Sequence, residues 1–282
     1  MDRFSCSNIN DPEMRKECKK QVVLEEYERL SPDLLFEIIR QDGEEELHRS
    51  TKALVYSGIA AGIVISSSFL FKAVLMEHTS FVSWGNLIAS LGYTVGFIIV
   101  ILGRMQLFTE NTITTVVPLF YERSMKKFIQ VVRLWGIVLL SNLLGTCLAA
   151  AFLSNSLLVS ADVAVQLHEI AVHVVHMVPM ENIIRGIPAG ILIAAVVWMM
   201  PMSRSFSFFM ILFFTYFISL GDFAHIVVGS CEMAYAVFHG DAGLYQYFFT
   251  FLLPTGIGNI IGGTFVFTLL VYAQVSSELS NH

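Results

Sequence analysis

Residues 92–112 read GYTVGFIIVILGRMQLFTENT. The first half is apolar enough to sit in a bilayer. The second half then brings Arg104, Gln106, Thr109, Glu110 and Asn111 into the middle of a longer apolar stretch, 84–121. As one rod that stretch would run roughly 57 Å, well beyond a hydrocarbon core of about 30 Å. It reads as a broken helix, with Arg104 just ahead of the break. A second stretch, 206–238, has the same character and is interrupted by Gly221-Asp222-Phe223-Ala224-His225. Backbone exposed by such breaks is tolerated at membrane depth only when buried in protein or facing a watery cavity.

Four further apolar stretches, near 53–76, 129–155, 182–201 and 246–273, make six. Their landmarks repeat. The first contains GIAAGIVI (58–65) and the fourth GIPAGILI (186–193). The third contains NLLGT (142–146) and the sixth NIIGGT (259–264). Two matched pairs in one order, with a broken helix between the members of each, predict an all-α integral membrane protein. Its six transmembrane helices would fall in two inverted three-helix repeats, about 53–155 and 182–273, with helices two and five broken. In that plan the two half-helices meet mid-bilayer and turn their amide-rich, positive ends toward one place, which favours an anion.

Composition agrees with a lipid setting: 55% of the 282 residues are hydrophobic and 14% charged, against about 25% charged in soluble domains. Residues 1–50 are different, holding 8 of the 17 Lys+Arg and 13 of the 23 Asp+Glu. They predict a cytoplasmic charged segment in which Ser31-Pro32-Asp33 starts a helix. Leu34, Leu35, Ile38 and Ile39 would line its apolar face along the membrane surface. The channel domain would then span 51–275, with a short tail at 276–282. Lys and Arg recur in the 121–133 link and at Arg204 but are missing from the links near 77–83, 156–181 and 239–245. The positive-inside rule therefore places both termini in the cytoplasm. No basic patch suggests a nucleic acid. Cys6, Cys18, Cys147 and Cys231 form no CxxC pair and predict no disulfide framework or zinc site.

The segment 92–112, the break GDFAHIVVGS (221–230) and GNIIGGTF (258–265) resemble the formate/nitrite transporter family over about residues 50–275. LFTENT (107–112) resembles its YfdC-like branch. The resemblance implies a homopentamer in the bacterial inner membrane, with one pore per subunit for small monovalent anions such as formate, nitrite or hydrosulfide. It implies no cofactor and no metal. By position, Thr109 matches the family's pore threonine, and Leu107 and Phe108 its apolar constriction. Tyr93 and Phe217 fall at an outer aromatic constriction with Phe97 nearby, and His225 matches the central pore histidine. Glu181 and Gly186 match landmarks opening span four. Several positions depart from the pattern. Val174 stands where a vestibule lysine is usual, Ala224 where an acid is usual, and Gly190 and Gly229 where pore asparagines are usual.

Each residue also has a plainer reading. His225 would be a satisfied core histidine, Thr109 a cap of the following half-helix, and the aromatics ordinary packing. Arg104 would pair with Glu110 or with Asp222 to hold the breaks together, or would lend positive potential to the pore. Three rival functions stand beside the anion pore. An aquaporin-like channel for neutral solutes shares the architecture, but the chain lacks paired Asn-Pro-Ala motifs. A membrane enzyme would have to use His168, Glu169, His173 and His176, and no HExxH or nucleophile elbow supports it. A non-transporting regulator would act through residues 1–50.

Overall fold

The computed structural model describes residue 14 and residues 30–155, 157–202 and 204–279, and all their regular structure is helical. Helix α1, Pro32–His48, has proline in its first turn, where a missing N–H costs nothing. Two long apolar segments flank the first break: α2, Thr51–Thr79, and α6, Met125–Leu153. Between them α3, Gly85–Leu102, stops, and the chain resumes as the short helices α4, Phe108–Thr114, and α5, Val116–Glu122. Helix α7, Ala161–His176, precedes α8, Pro179–Met199. The second break separates α9, Ser207–Leu220, from α10, Ile226–His239. Last comes α11, Gln246–Ser277, with two wide π-type stretches.

Five of these segments are long and apolar enough to cross a membrane, and α9 and α10 are shorter apolar helices. The main apolar cluster runs from Leu47 of α1 to Leu252 of α11, and a smaller one joins Phe36 and Ile39 of α1 to Ile113, Val117, Ala194 and Val275. Helix α6 packs on α2, α8 on α11, and α9 on α3, while α10 leans on both α6 and α7. The two half-helices α4 and α10 thus lie at the centre, jacketed by the long ones.

Two expectations change at this level. Helix α1 does bury one face, but against the protein: Leu35, Phe36, Ile39 and Leu47 are buried, and Phe36 meets Tyr272 of α11 at 5.8 Å. Lys127 of α6 donates to both carboxylate oxygens of Glu44 at 2.7 Å. The part of residues 1–50 before Leu30, apart from Met14, lies outside the described residues. The link 156–181, read as a loop, contains α7. Its signal was present in Ser160, which caps the helix by accepting from Val163 N–H. Val163, Leu167, Ile170, Ala171 and Val174 then recur on one face.

Candidate functional site

Each break is held by one asparagine. Asn142 of α6 is fully buried. Its Oδ1 accepts from Phe108 N–H at 2.9 Å, and its Nδ2 donates to the carbonyls of Gly58 and Gln106 at 2.8 Å. Asn259 of α11 repeats the arrangement. It accepts from Ile226 N–H at 2.9 Å and donates to Gly186 O at 2.9 Å and Ala224 O at 2.8 Å. A primary amide has both donors and an acceptor to give, so one side chain satisfies two backbone groups freed by each break and ties them to a carbonyl of a neighbouring helix. Gly58 and Gly186, Gln106 and Ala224, Phe108 and Ile226 therefore occupy matching places. So do Arg104 and Asp222, each four residues before its half-helix and each left-handed, at φ 51° and 54°.

Between the breaks lies a buried pair. Thr109 Oγ1 and His225 Nε2 are 2.9 Å apart, at 1% and 2% exposure. Val228 N–H donates to His225 Nδ1 at 3.3 Å, so the histidine caps α10. With Nδ1 accepting, the neutral ring carries its proton on Nε2 and donates it to Thr109 Oγ1. The threonine's own hydrogen is then available to a further acceptor. Thr109 itself caps nothing, because Leu107 is the cap position of α4. Phe97 meets the His225 ring edge-on at 4.9 Å, and Tyr93 lies against Phe97 at 5.4 Å with the rings tilted.

Two pockets approach this pair from opposite sides. The near one, beside α1, has a volume of about 150 Å³ and is lined by Asp42, Glu46, Arg104, Gln106, Glu110 and Asn111 among others. Gln106 Nε2 donates to Glu46 Oε2 at 2.7 Å, which ties α1 to the first break. The far pocket, about 50 Å³, ends on His225 and Tyr93 and is lined by Lys72, His173, Asp222 and Glu232. Its neighbours are bonded: Asp222 pairs with Arg185, and His173 Nε2 lies 2.9 Å from Asp222 Oδ2. That hydrogen bond raises the His173 pKa above its ordinary value, against a smaller opposing effect of burial.

The expected residues distribute as follows. Thr109, His225, Tyr93 and Phe97 come together. Leu107 is buried in the core, and Phe108 turns to Trp135 of α6, ring to ring at 5.7 Å; neither lines the near or the far pocket. Arg104 and Glu110 share the near pocket. Arg104 and Asp222 form no pair, because the two breaks open their left-handed turns to opposite pockets. Phe217 is not brought to the site. The inward face of α9 is set by Ile211, Thr215, Ile218 and Ser219, and Phe217 falls outside it, 42% exposed, in an outward row with Phe206, Phe209 and Phe213. Phe223 and Phe251 line the far pocket instead. Among the described residues no cluster of three or more His, Cys, Asp or Glu could hold a metal ion.

The glycines at the two departures are now intelligible. A Cβ at Gly190 would run into the Asn259 carbonyl, and one at Gly229 into the Phe251 ring. Neither place has room for an asparagine. Sequence reasoning missed Lys72 and Glu232, single charges on apolar helices whose direction only the packing reveals.

Comparison with known proteins agrees with this architecture. The family described as formate/nitrite transporter matches residues 33–273. Inner membrane protein YfdC of Escherichia coli (strain K12) is 42% identical over 247 residues, covering 88% of this chain and 80% of that protein. Formate channel FocA of Haemophilus influenzae is 26% identical, covering 73% and 81%. Among solved structures, a pentameric formate channel with formate bound superposes with a TM-score of 0.68 at 20% identity, over 81% of this chain and 99% of that one. A second, an FNT family ion channel, gives 0.72 at 16% identity, over 85% and 98%. These last two bear on the fold alone.

Proposed function

The chain belongs to the formate/nitrite transporter family, and from that premise we propose that it passes small monovalent anions, formate or nitrite first among them, through a pore in each subunit. The observation that carries the reading is the buried Thr109–His225 hydrogen bond, set where two interrupted helices meet, with the far pocket lined by His225 and the near pocket by Glu110 and Asn111, the residues that follow Thr109. Stripping a bare anion of water costs many kcal/mol in an apolar passage. The Thr109 hydroxyl supplies a donor at the driest point, with its oxygen already engaged by His225 and its hydrogen free to turn to a carboxylate or nitrite oxygen. The first-turn amides of α4 and α10 add positive partial charge. A proton delivered to His225 would break the Val228 cap and let the ring, through Thr109, pass that proton to the anion. Transport is then proton-linked.

The duplicated asparagine clamp supports six crossings in two inverted halves. A pentamer in the bacterial inner membrane, with both termini cytoplasmic, completes the proposal. It makes the near pocket cytoplasmic and the far pocket external, and it divides the chain at about residues 50 and 275.

The test is a panel of solutes on purified protein in liposomes, at about pH 5.5 and about pH 7.5. Formate, nitrite and hydrosulfide are expected to move and glycerol and water to be held back. Flux of glycerol without anion flux would favour the neutral-solute channel. No flux of any solute would favour a regulator.

A further inference from the structure

The far pocket carries a charge pattern that the pore reading leaves unused. Glu232 follows His225 by seven residues on α10, close to two full turns, so both side chains share one face. Gly229 between them lines the same pocket. The Glu232 side chain is buried, at 7% exposure, and accepts no hydrogen bond from any described residue. Asp222 in the same pocket is a contrast, since Arg185 and His173 both hold it. A carboxylate taken out of water without a donor is costly. Such a group carries either a proton or the field of a nearby cation.

The cation is at hand. Lys72 of α2 reaches into the pocket, its Nζ 5.8 Å from the centre of the Tyr93 ring, and it acts electrostatically on Glu232 along with Asp222 and His173. Lys72 forms no ion pair with any described residue. The groups facing Glu232 are then Lys72 from α2, the Tyr93 hydroxyl from α3, and His173 from α7. Asp222 with Arg185 behind it, and His225, face it from the second break. Asp222 and Glu181 are matched by Arg185 and by the His173 imidazolium, so the remaining sign of the pocket turns on Lys72 and Glu232.

We propose that Glu232 and Lys72 together form a proton-dependent admission site for the anion, distinct from the Thr109–His225 pair, with Glu232 setting the pH dependence and Lys72 supplying the attraction. This rests on the anion-pore reading above. With Glu232 ionised the two charges cancel and the pocket draws no anion. When the carboxylate takes a proton from the water on its own side, Lys72 is left uncompensated. Its positive charge then concentrates a monovalent anion at the mouth. The site thus favours admission from the acid side.

The experiment measures initial formate and nitrite uptake into liposomes holding the full chain, at about pH 5.5 and about pH 7.5 outside the far pocket. Wild type is expected to move anion about tenfold faster at the acid pH. Glu232→Gln, neutral at every pH, is expected to gain rate at neutral pH, so that its profile is shallower than wild type by the share that Glu232 carries, the share through His225 remaining. Lys72→Met is expected to lose about tenfold at the acid pH and retain less at neutral pH than Glu232→Gln. A Glu232→Gln protein that keeps the wild-type slope overturns the proposal, and so does a Lys72→Met protein with wild-type rates. If Glu232→Gln fails to fold, the Lys72→Met result alone decides. Absence of all anion flux in wild type sinks the pore reading itself and this proposal with it, a result different from flux whose slope ignores Glu232.

Discussion

At the scale of single residues the account turns on who donates to whom. His225 gives its Nε2 proton to Thr109 and takes one from Val228. Replacing His225 by Ala removes both bonds. It is expected to change the pH response or anion selectivity of liposome flux, and unchanged response and selectivity would take His225 out of the mechanism. His173 makes a separate pH prediction. Its pKa is raised chiefly by the hydrogen bond that its Nε2–H donates to Asp222, so the protonated form is favoured on folding. That stabilisation is fully present below the unfolded value of about 6.5 and is lost as pH rises through the higher folded value. The side chain is 56% exposed, so the pair is worth only about 0.2–1 kcal/mol. Melting temperature should fall slightly across that window in wild type and not in His173→Ala; identical pH curves would remove the pair from the account. Much of this scale was legible in sequence. Thr109 and His225 were named by the family resemblance, and their place at the two breaks in apolar chain agreed with it. Phe217 misled, because position along a helix does not reveal its face until neighbours choose one. Lys72 and Glu232 escaped for the same reason.

At the scale of elements the two asparagine clamps decide whether the breaks survive. Asn142→Ala strands Phe108 N–H and the Gln106 carbonyl and removes the tie to Gly58 O, and each stranded buried group costs about 1–3 kcal/mol, not additively. Asn259→Ala does the same to Ile226 N–H, the Ala224 carbonyl and the tie to Gly186 O. Both variants should lose several degrees of melting temperature in detergent, by similar amounts, along with flux. If either melts like wild type, the clamp is not what holds its break. Gly190→Ala should also lower the melting temperature, since its new methyl meets the Asn259 backbone carbonyl and forces α8 and α11 apart. The repeated motifs announced Asn142 and Asn259 as landmarks, but a repeat in sequence does not say what is bonded. Only the fold brings residues 84 and 73 positions apart, as in Asn142 to Gly58 and Asn259 to Gly186, within 2.9 Å. Helix α1 shows the limit from the other side: its amphipathic pattern was plain, yet pattern alone cannot tell a lipid surface from a protein groove.

At the scale of the molecule, apolar side chains cover the outer faces of the long helices, including the row Phe206, Phe209, Phe213 and Phe217. Such a surface belongs against lipid or a neighbouring copy. A pentamer predicts a detergent-corrected mass by light scattering near five times 31.5 kDa, and a monomer would contradict it. The jacket of long helices leaves two pockets separated by one dry stretch, so the central claim is that every solute must pass Thr109. The most direct measurement is formate flux through wild type, Thr109→Val and Thr109→Ser in matched liposomes. Valine keeps the shape and removes the donor, and is expected to cut flux by about tenfold or more, while serine restores the hydroxyl and most of the flux. Wild-type flux in Thr109→Val would contradict the account.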